Sequence, residues 1–155
     1  MTHSLKFGTS GLRGLAVELA GAESRRYATA FLAYLRKRGP VEQVLVGRDL
    51  RASSPAIAAE VMAALDAEVV DCGEVPTPAL ALAALERGAP AIMVTGSHIP
   101  ADRNGLKFYR ADGEIDKVDE AGILAALGAA PEHGRSPVAA PEVRARYVAR
   151  YAMLL

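Results

Sequence analysis

The stretch APAIMVTGSHIPADRNGLKFY, from Ala89 to Tyr109, decides how the rest of the chain is read. Its first part, through Val94, is apolar without alternation. A strand exposed on one face alternates apolar with polar residues, so an unbroken apolar run fits a strand covered on both faces, as in the parallel sheet of an α/β protein. Directly after it come Ser97, His98, Asp102, Arg103, Asn104 and Lys107. A packed core has no use for that density of reactive side chains.

Two similar units precede this one. EQVLV (Glu42 to Val46) is a short β-branched run followed by GRDLRASSP, in which Ser54 is placed as an N-cap and Pro55 as the first helical residue. Ile57, Val61 and Leu65 then repeat at four-residue spacing, one face of a helix. AEVVDCGEV leads in the same way into PTPALALAALERG, where Thr77 can cap, Pro78 can open the helix and Gly88 can close it. Ahead of these lies an amphipathic stretch with Tyr27, Phe31, Tyr34 and Leu35 on one face; Arg36, Lys37 and Arg38 gather at its C-terminal end, where they suit the helix dipole. Strands alternating with helices predict a layered α/β domain with a mostly parallel sheet. Such sheets bind ligands beyond the C-terminal ends of their strands, and both GRD and TGSH fall there.

Beyond the loop, LKFYRADGEI predicts a hairpin turning at Asp112 and Gly113, followed by a helix from about Val118 to Leu127. GAAPEHGRSPVAAP reads as a linker or loop. EVRARYVARYAMLL reads as a helix whose apolar end coincides with the end of the chain, the pattern of a boundary inside a longer protein.

At 155 residues, 51% of them hydrophobic, the chain has the length of one domain spanning residues 1–155, and such a domain buries roughly 70% of its unfolded surface. Eighteen basic residues balance eighteen acidic ones, so no overall field draws in nucleic acid or an anionic membrane. Any anion must be bound locally. The start lacks the apolar core of a signal peptide, and no apolar run reaches the roughly 18 to 20 residues of a membrane span, which predicts a cytoplasmic protein. Cys72, the single cysteine, has no partner for an intramolecular disulfide and reads as a small buried residue.

Several chemistries fit the loop poorly. The G-x-S-x-G elbow of hydrolases is absent, because no Gly stands two places after Ser97 and Pro100 follows Ile99. Adjacent Ser and His point apart, so a triad would need His3 or His133. Three scattered histidines and one cysteine have no zinc spacing, and DGEID is too short for a calcium loop. Phosphate chemistry fits better. It needs fixed cations, backbone N–H groups left free by glycine, and a proton donor or acceptor within reach. Gly96, His98, Arg103 and Lys107 supply these in the loop; KFGTSGLRG adds three glycines, two hydroxyls and Arg13, and GRD adds Arg48.

Together FGTSGLRG, VGRDLRASSP, DCGEVPTP and VTGSHIPADRNGLKFY resemble, in order and spacing, the N-terminal domain of the α-D-phosphohexomutases, above all the phosphomannomutase/phosphoglucomutase branch. The resemblance implies a three-layer α/β/α domain with a small mixed, mostly parallel sheet, the later domains lying outside this chain. It implies interconversion of hexose 1-phosphate and hexose 6-phosphate through a hexose 1,6-bisphosphate, which also serves as activator. Ser97 would be the phosphoserine and Lys107 the general acid or base, assisted by Arg13 and His98. Thr9, Ser10, Arg48 and Asn104 would contact phosphate or substrate. Cations crowded around Lys107 would lower its pKa and make it a usable base. Magnesium would bind the Ser97 phosphate and take its other ligands from a missing domain. Ile99 stands where the commoner family loop carries Asn and removes a polar contact. The implied partners are a hexose phosphate and the remaining domains, with no nucleic acid and no membrane, and the domain alone would not turn over. Two alternatives stay open: a non-catalytic module binding a sugar phosphate or a protein, and a phosphoglucosamine mutase domain.

Overall fold

The computed structural model describes residues 4–8, 11–129 and 136–153; Thr9, Ser10, His3 and His133 lie outside them. A hairpin of β1 (Lys6–Gly8) and β2 (Gly11–Leu15) leads through the single turn α1 (Ala16–Glu18) and a π-type turn over Leu19–Glu23 into α2 (Ser24–Arg36). Strand and helix then alternate: β3 (Gln43–Arg48), α3 (Ser54–Ala64), β4 (Glu68–Glu74), α4 (Thr77–Arg87) and β5 (Ala91–Val94). The chain turns back as β6 (Arg103–Arg110) and β7 (Gly113–Glu114), and continues through α5 (Lys117–Ala125), β8 (Val138–Ala139) and α6 (Glu142–Ala152).

One sheet carries all the strands, in the order β1-β2-β6-β5-β3-β4-β8, with β7 on β6. Pairings of β3 with β4 and β5, and of β4 with β8, are parallel, whereas β1-β2, β2-β6, β5-β6 and β6-β7 are antiparallel. The sheet is therefore mixed, and parallel in one half only. The reason is local: a parallel neighbour needs a crossover of a dozen or more residues, and the loop from β5 to β6 contains no helix to make one.

The uniform apolar runs are explained by two cores, one on each side of the sheet. Val44 and Val46 of β3 face a core shared with Phe31 of α2, Ile57 and Val61 of α3 and Ile123 of α5. Leu45 between them faces the other, with Leu80 of α4, Met93 of β5 and Val143 of α6. The two-residue period of a strand thus lines both faces with apolar side chains, and helices cover each. The result is the expected three-layer α/β/α arrangement. Within the first core the rings of Phe31 and Phe108 lie 4.8 Å apart.

Element ends depart from expectation in detail. Ser54 is the first residue of α3 rather than its cap, and its hydroxyl donates to Asp49. Thr77 is likewise the first residue of α4, without a side-chain cap. Gly88 closes α4 at φ 60°, the left-handed position that glycine fills without steric cost. The hairpin turns at Ala111 and Asp112, with Arg110 paired to Gly113. Asp116 and Asp119 form a capping box at the start of α5. Val138 and Ala139, within the stretch read as a linker, add a parallel strand to β4; two residues are too few to show a period. Cys72 is buried, as expected. Among the described residues no helix is long and apolar enough to cross a membrane.

Candidate active site

The site forms where β3 and β5 end side by side. Asp49, just past β3, donates its N–H to Val94 O at 2.9 Å, which ties the two strand ends together. Its carboxylate organises both loops. Oδ1 accepts from the Ser54 hydroxyl and from Arg51 N–H at 3.1 Å, and Oδ2 accepts from Gly96 N–H at 2.9 Å. Burial opposes the charge on Asp49, but these bonds outweigh it and hold its pKa below the ordinary carboxylate value.

Among the described residues Ser97 is the one non-glycine with positive φ, at 51°. A residue held in the left-handed region stores strain that the surroundings must offset, and such strain concentrates at functional sites. The exposed serine is fixed through its neighbours: its N–H donates to Thr95 Oγ1 at 3.2 Å, and its carbonyl accepts from Arg51 Nη2 at 3.1 Å. Arg13 of β2 reaches over the same turn. Its Nη1 donates to Thr95 O at 3.1 Å and its Nη2 to Ser97 Oγ at 3.3 Å. Burial, and then the like charge of Arg51, pull the Arg13 pKa below the ordinary arginine value; a guanidinium still stays charged in a protein.

Lys107 belongs to the same face. Sheet register sets Arg13 opposite Gly105 and Met93 opposite Lys107, so Arg13 and Lys107 point to the side covered by α4 and α6. Ser97, Lys107, Thr95, Tyr109 and Glu114 line a cavity of about 480 Å³ against the first turn of α4. Ser97 also borders a second cavity of about 900 Å³, walled by Arg48, Arg51, Glu74, Ile99 and Arg144. A hydroxyl on a strained backbone, beside one guanidinium and bordering two cavities that each hold cations, is suited to carrying an anionic group.

A model of the family "Phosphoglucomutase/phosphomannomutase, alpha/beta/alpha domain I" matches residues 4–133. The chain belongs to the phosphoglucomutase/phosphomannomutase family. A phosphomannomutase of Sinorhizobium fredii (strain NBRC 101917 / NGR234) is 53% identical over 97% of this chain and 35% of its own length. A phosphoglucosamine mutase of Campylobacter fetus subsp. fetus (strain 82-40) is 39% identical over 69% of this chain and 25% of its own. The crystal structure of a putative phosphomannomutase from Thermus thermophilus superposes with a TM-score of 0.79 at 32% identity, covering 99% of this chain and 37% of that one. The chain spans about a third of the length of the S. fredii relative.

Within this family domain the expected residues fall into four groups. Arg13, Ser97 and Lys107 converge on one face, with His98 exposed beside Ser97. Arg48 faces the second cavity but is engaged at 3.8 Å by Asp71, and among the described residues nothing bonds its buried Nε. Asn104 does not reach the cavity face. It is fully buried, and its amide donates to Ser53 Oγ at 2.8 Å and Ser54 Oγ at 3.0 Å, bracing the start of α3 from below. Thr9 and Ser10 lie outside the described residues.

Lys107 brings a correction. Its near neighbours are not cations but Glu114, 2.9 Å away, and the ring of Tyr109 at 5.7 Å. Partial burial works against the ammonium, yet Glu114 and Tyr109 outweigh it and raise the Lys107 pKa above the ordinary lysine value. Sequence reasoning also missed Arg51 and Arg144. Arg51 stands inside the GRDLR motif, where its second arginine was a usable signal; Arg144 arrives from α6 and left none. Among the described residues no three His, Cys, Asp or Glu side chains cluster to hold a metal ion. The described residues therefore do not make a magnesium site by themselves.

Proposed function

We propose that this chain is the phosphoserine-bearing domain of a phosphomannomutase/phosphoglucomutase, which interconverts hexose 1-phosphate and hexose 6-phosphate through a hexose 1,6-bisphosphate. The observation that carries this reading is Ser97, held at positive φ with its hydroxyl 3.3 Å from Arg13 and sharing a cavity with Lys107.

In the first half-reaction the Ser97 Oγ–P bond breaks as a bond forms from phosphorus to a sugar hydroxyl oxygen; the sugar hydroxyl gives its proton to a base and the departing Ser97 Oγ takes a proton up. In the second, Ser97 Oγ gives its proton to a base as a bond forms from it to the phosphorus of the other phosphate, the bond from that phosphorus to the sugar oxygen breaks, and the sugar oxygen recovers a proton. Arg13 offsets charge on Oγ and the transferring group, since a guanidinium keeps its charge and grips two oxygens. Lys107 rests as an ammonium beside Glu114, so it is set first as a proton donor, and it serves as a base only after giving that proton up. His98 assists at the exposed rim, and Arg48, with Thr9 and Ser10, contacts phosphate. A phosphate on Ser97 would supply one ligand to a magnesium ion, whose other ligands would come from outside this chain and which would offset charge on the transferring group. Hexose 1,6-bisphosphate loads the serine, and the setting is cytoplasmic. Phosphoryl transfer depends on positioning, so the chain without its remaining domains does not turn over.

The test is the intact mass of the chain before and after incubation with glucose 1,6-bisphosphate, with peptide mapping. One phosphoryl group on Ser97, absent from Ser97→Ala, is the expected result. Phosphate mapped elsewhere, or none even when the remaining domains are supplied, defeats the reading. The phosphoglucosamine alternative shares this serine chemistry, and is separated by comparing turnover of mannose and glucosamine phosphates in the complete enzyme.

A further inference from the structure

The guanidinium of Arg51 is enclosed by the loop that carries Ser97. Its Nη1 donates to Pro100 O at 2.9 Å and Arg103 O at 3.2 Å; its Nη2 donates to Ser97 O at 3.1 Å and Ile99 O at 2.5 Å. Nε faces Asp49 Oδ2 at 3.6 Å, the oxygen that also accepts from Gly96 N–H. Four carbonyls of one loop thus point inward at one planar cation. Carbonyls turned together in this way repel one another unless a charge-assisted donor lies between them, and only the fork of an arginine reaches four.

Gly96 records the same relationship. Its φ is not positive, so conformational freedom does not require glycine there. Space does: a Cβ on residue 96 would lie 2.1 Å from Arg51 Nε and 2.3 Å from its Cζ. The loop is built around the guanidinium so closely that its backbone carries no side chain at that point.

We infer that Arg51 is a positioning residue which, by gathering the carbonyls of Ser97, Ile99, Pro100 and Arg103, holds Ser97 in its left-handed conformation and aims its hydroxyl at Arg13. Arg51 donates to the Ser97 backbone rather than to its hydroxyl, and its hydrogen bonds fall on the protein's own carbonyls. Its role in phosphoryl transfer rests on the function proposed for Ser97; its role in the loop's shape does not.

Two measurements on the full 155-residue chain separate these. In a double-mutant cycle followed by thermal unfolding, Gly96→Ala is expected to lower Tm by several degrees in the parent chain and to have almost no effect in Arg51→Ala, where the blocking atoms are gone. Equal losses in both backgrounds overturn the inference. Crystal structures of Arg51→Lys and Arg51→Ala are expected to show Ser97 out of the left-handed region, and retention of positive φ in both also overturns it. With the remaining domains supplied, both variants are expected to load phosphate on Ser97 about 10²-fold more slowly, the lysine giving no rescue because it keeps the charge but not the fork. If the parent loads and Arg51→Ala loads equally fast, positioning fails; if the parent never loads, the proposed function fails while the cycle and the structures still judge the loop.

Discussion

Glu114 stands 2.9 Å from Lys107 Nζ across the β6-β7 hairpin; both line the cavity shared with Ser97, the carboxylate at its exposed rim and the lysine deeper in. An acid on the outer side of a lysine keeps it charged. Glu114→Gln is expected to lower the Lys107 pKa, read by NMR titration of the side chain. Stability is expected to change by less than about 1 kcal/mol, because the carboxylate is exposed. An unmoved titration would show that Glu114 does not set the charge.

Arg13→Ala removes a bond to Thr95 O and another to Ser97 Oγ. A charge-assisted hydrogen bond contributes about 1.5–3 kcal/mol, so phosphoryl loading of Ser97 is expected to slow about ten- to hundredfold when followed by intact mass. Loading at the parental rate would remove Arg13 from the site.

Asp119 is fully buried, accepting from Tyr34 at 2.6 Å, from Arg38 and Arg110 at 3.0 Å, and from Asp116 N–H at 2.9 Å. Burial disfavours its charge, but these donors prevail and its pKa is lowered. A carboxylate with a depressed folded pKa stabilises fully above its unfolded value and loses that contribution as pH falls through the folded one. Urea unfolding is expected to show stability declining below about pH 4, with a shallower decline in Asp119→Asn. Asp119→Ala is expected to cost about 3 kcal/mol, the lower end for a broken buried pair because Arg38 and Arg110 reach solvent.

Burial pushes the Cys72 thiol up to about 11. The native chain is expected to resist thiol reagents at neutral pH and to react once unfolded. A raised acid pKa means that the unfolded thiol ionises first, so this group's effect on stability is absent below about pH 9 and grows unfavourable as pH rises toward 11. Rapid labelling of the folded chain would contradict the burial.

Features that depend on neighbours in sequence were legible. An apolar run without alternation revealed β5 as a strand covered on both faces, a β-branched run marked β3, Gly88 marked the end of α4, and Asp112-Gly113 marked a hairpin. Each follows from a local rule about periodicity or backbone freedom. The density of polar residues after Val94 marked the site for the same reason, since a core does not need it.

Which strands and side chains pair needed the tertiary structure. β5 and β6 run antiparallel because the loop between them closes without a helix, so the sheet is parallel in one half only. Asn104, expected at the substrate, is fully buried and bonds Ser53 and Ser54, and Lys107 meets Glu114 rather than a crowd of cations. Arg51, one more arginine in a polar motif when read along the chain, becomes the centre around which the Ser97 loop closes. Residue types and spacing determined which chemistry this protein can host; which charges are neutralised, and which side chains are free to act, depended on partners that only folding brings within hydrogen-bond distance.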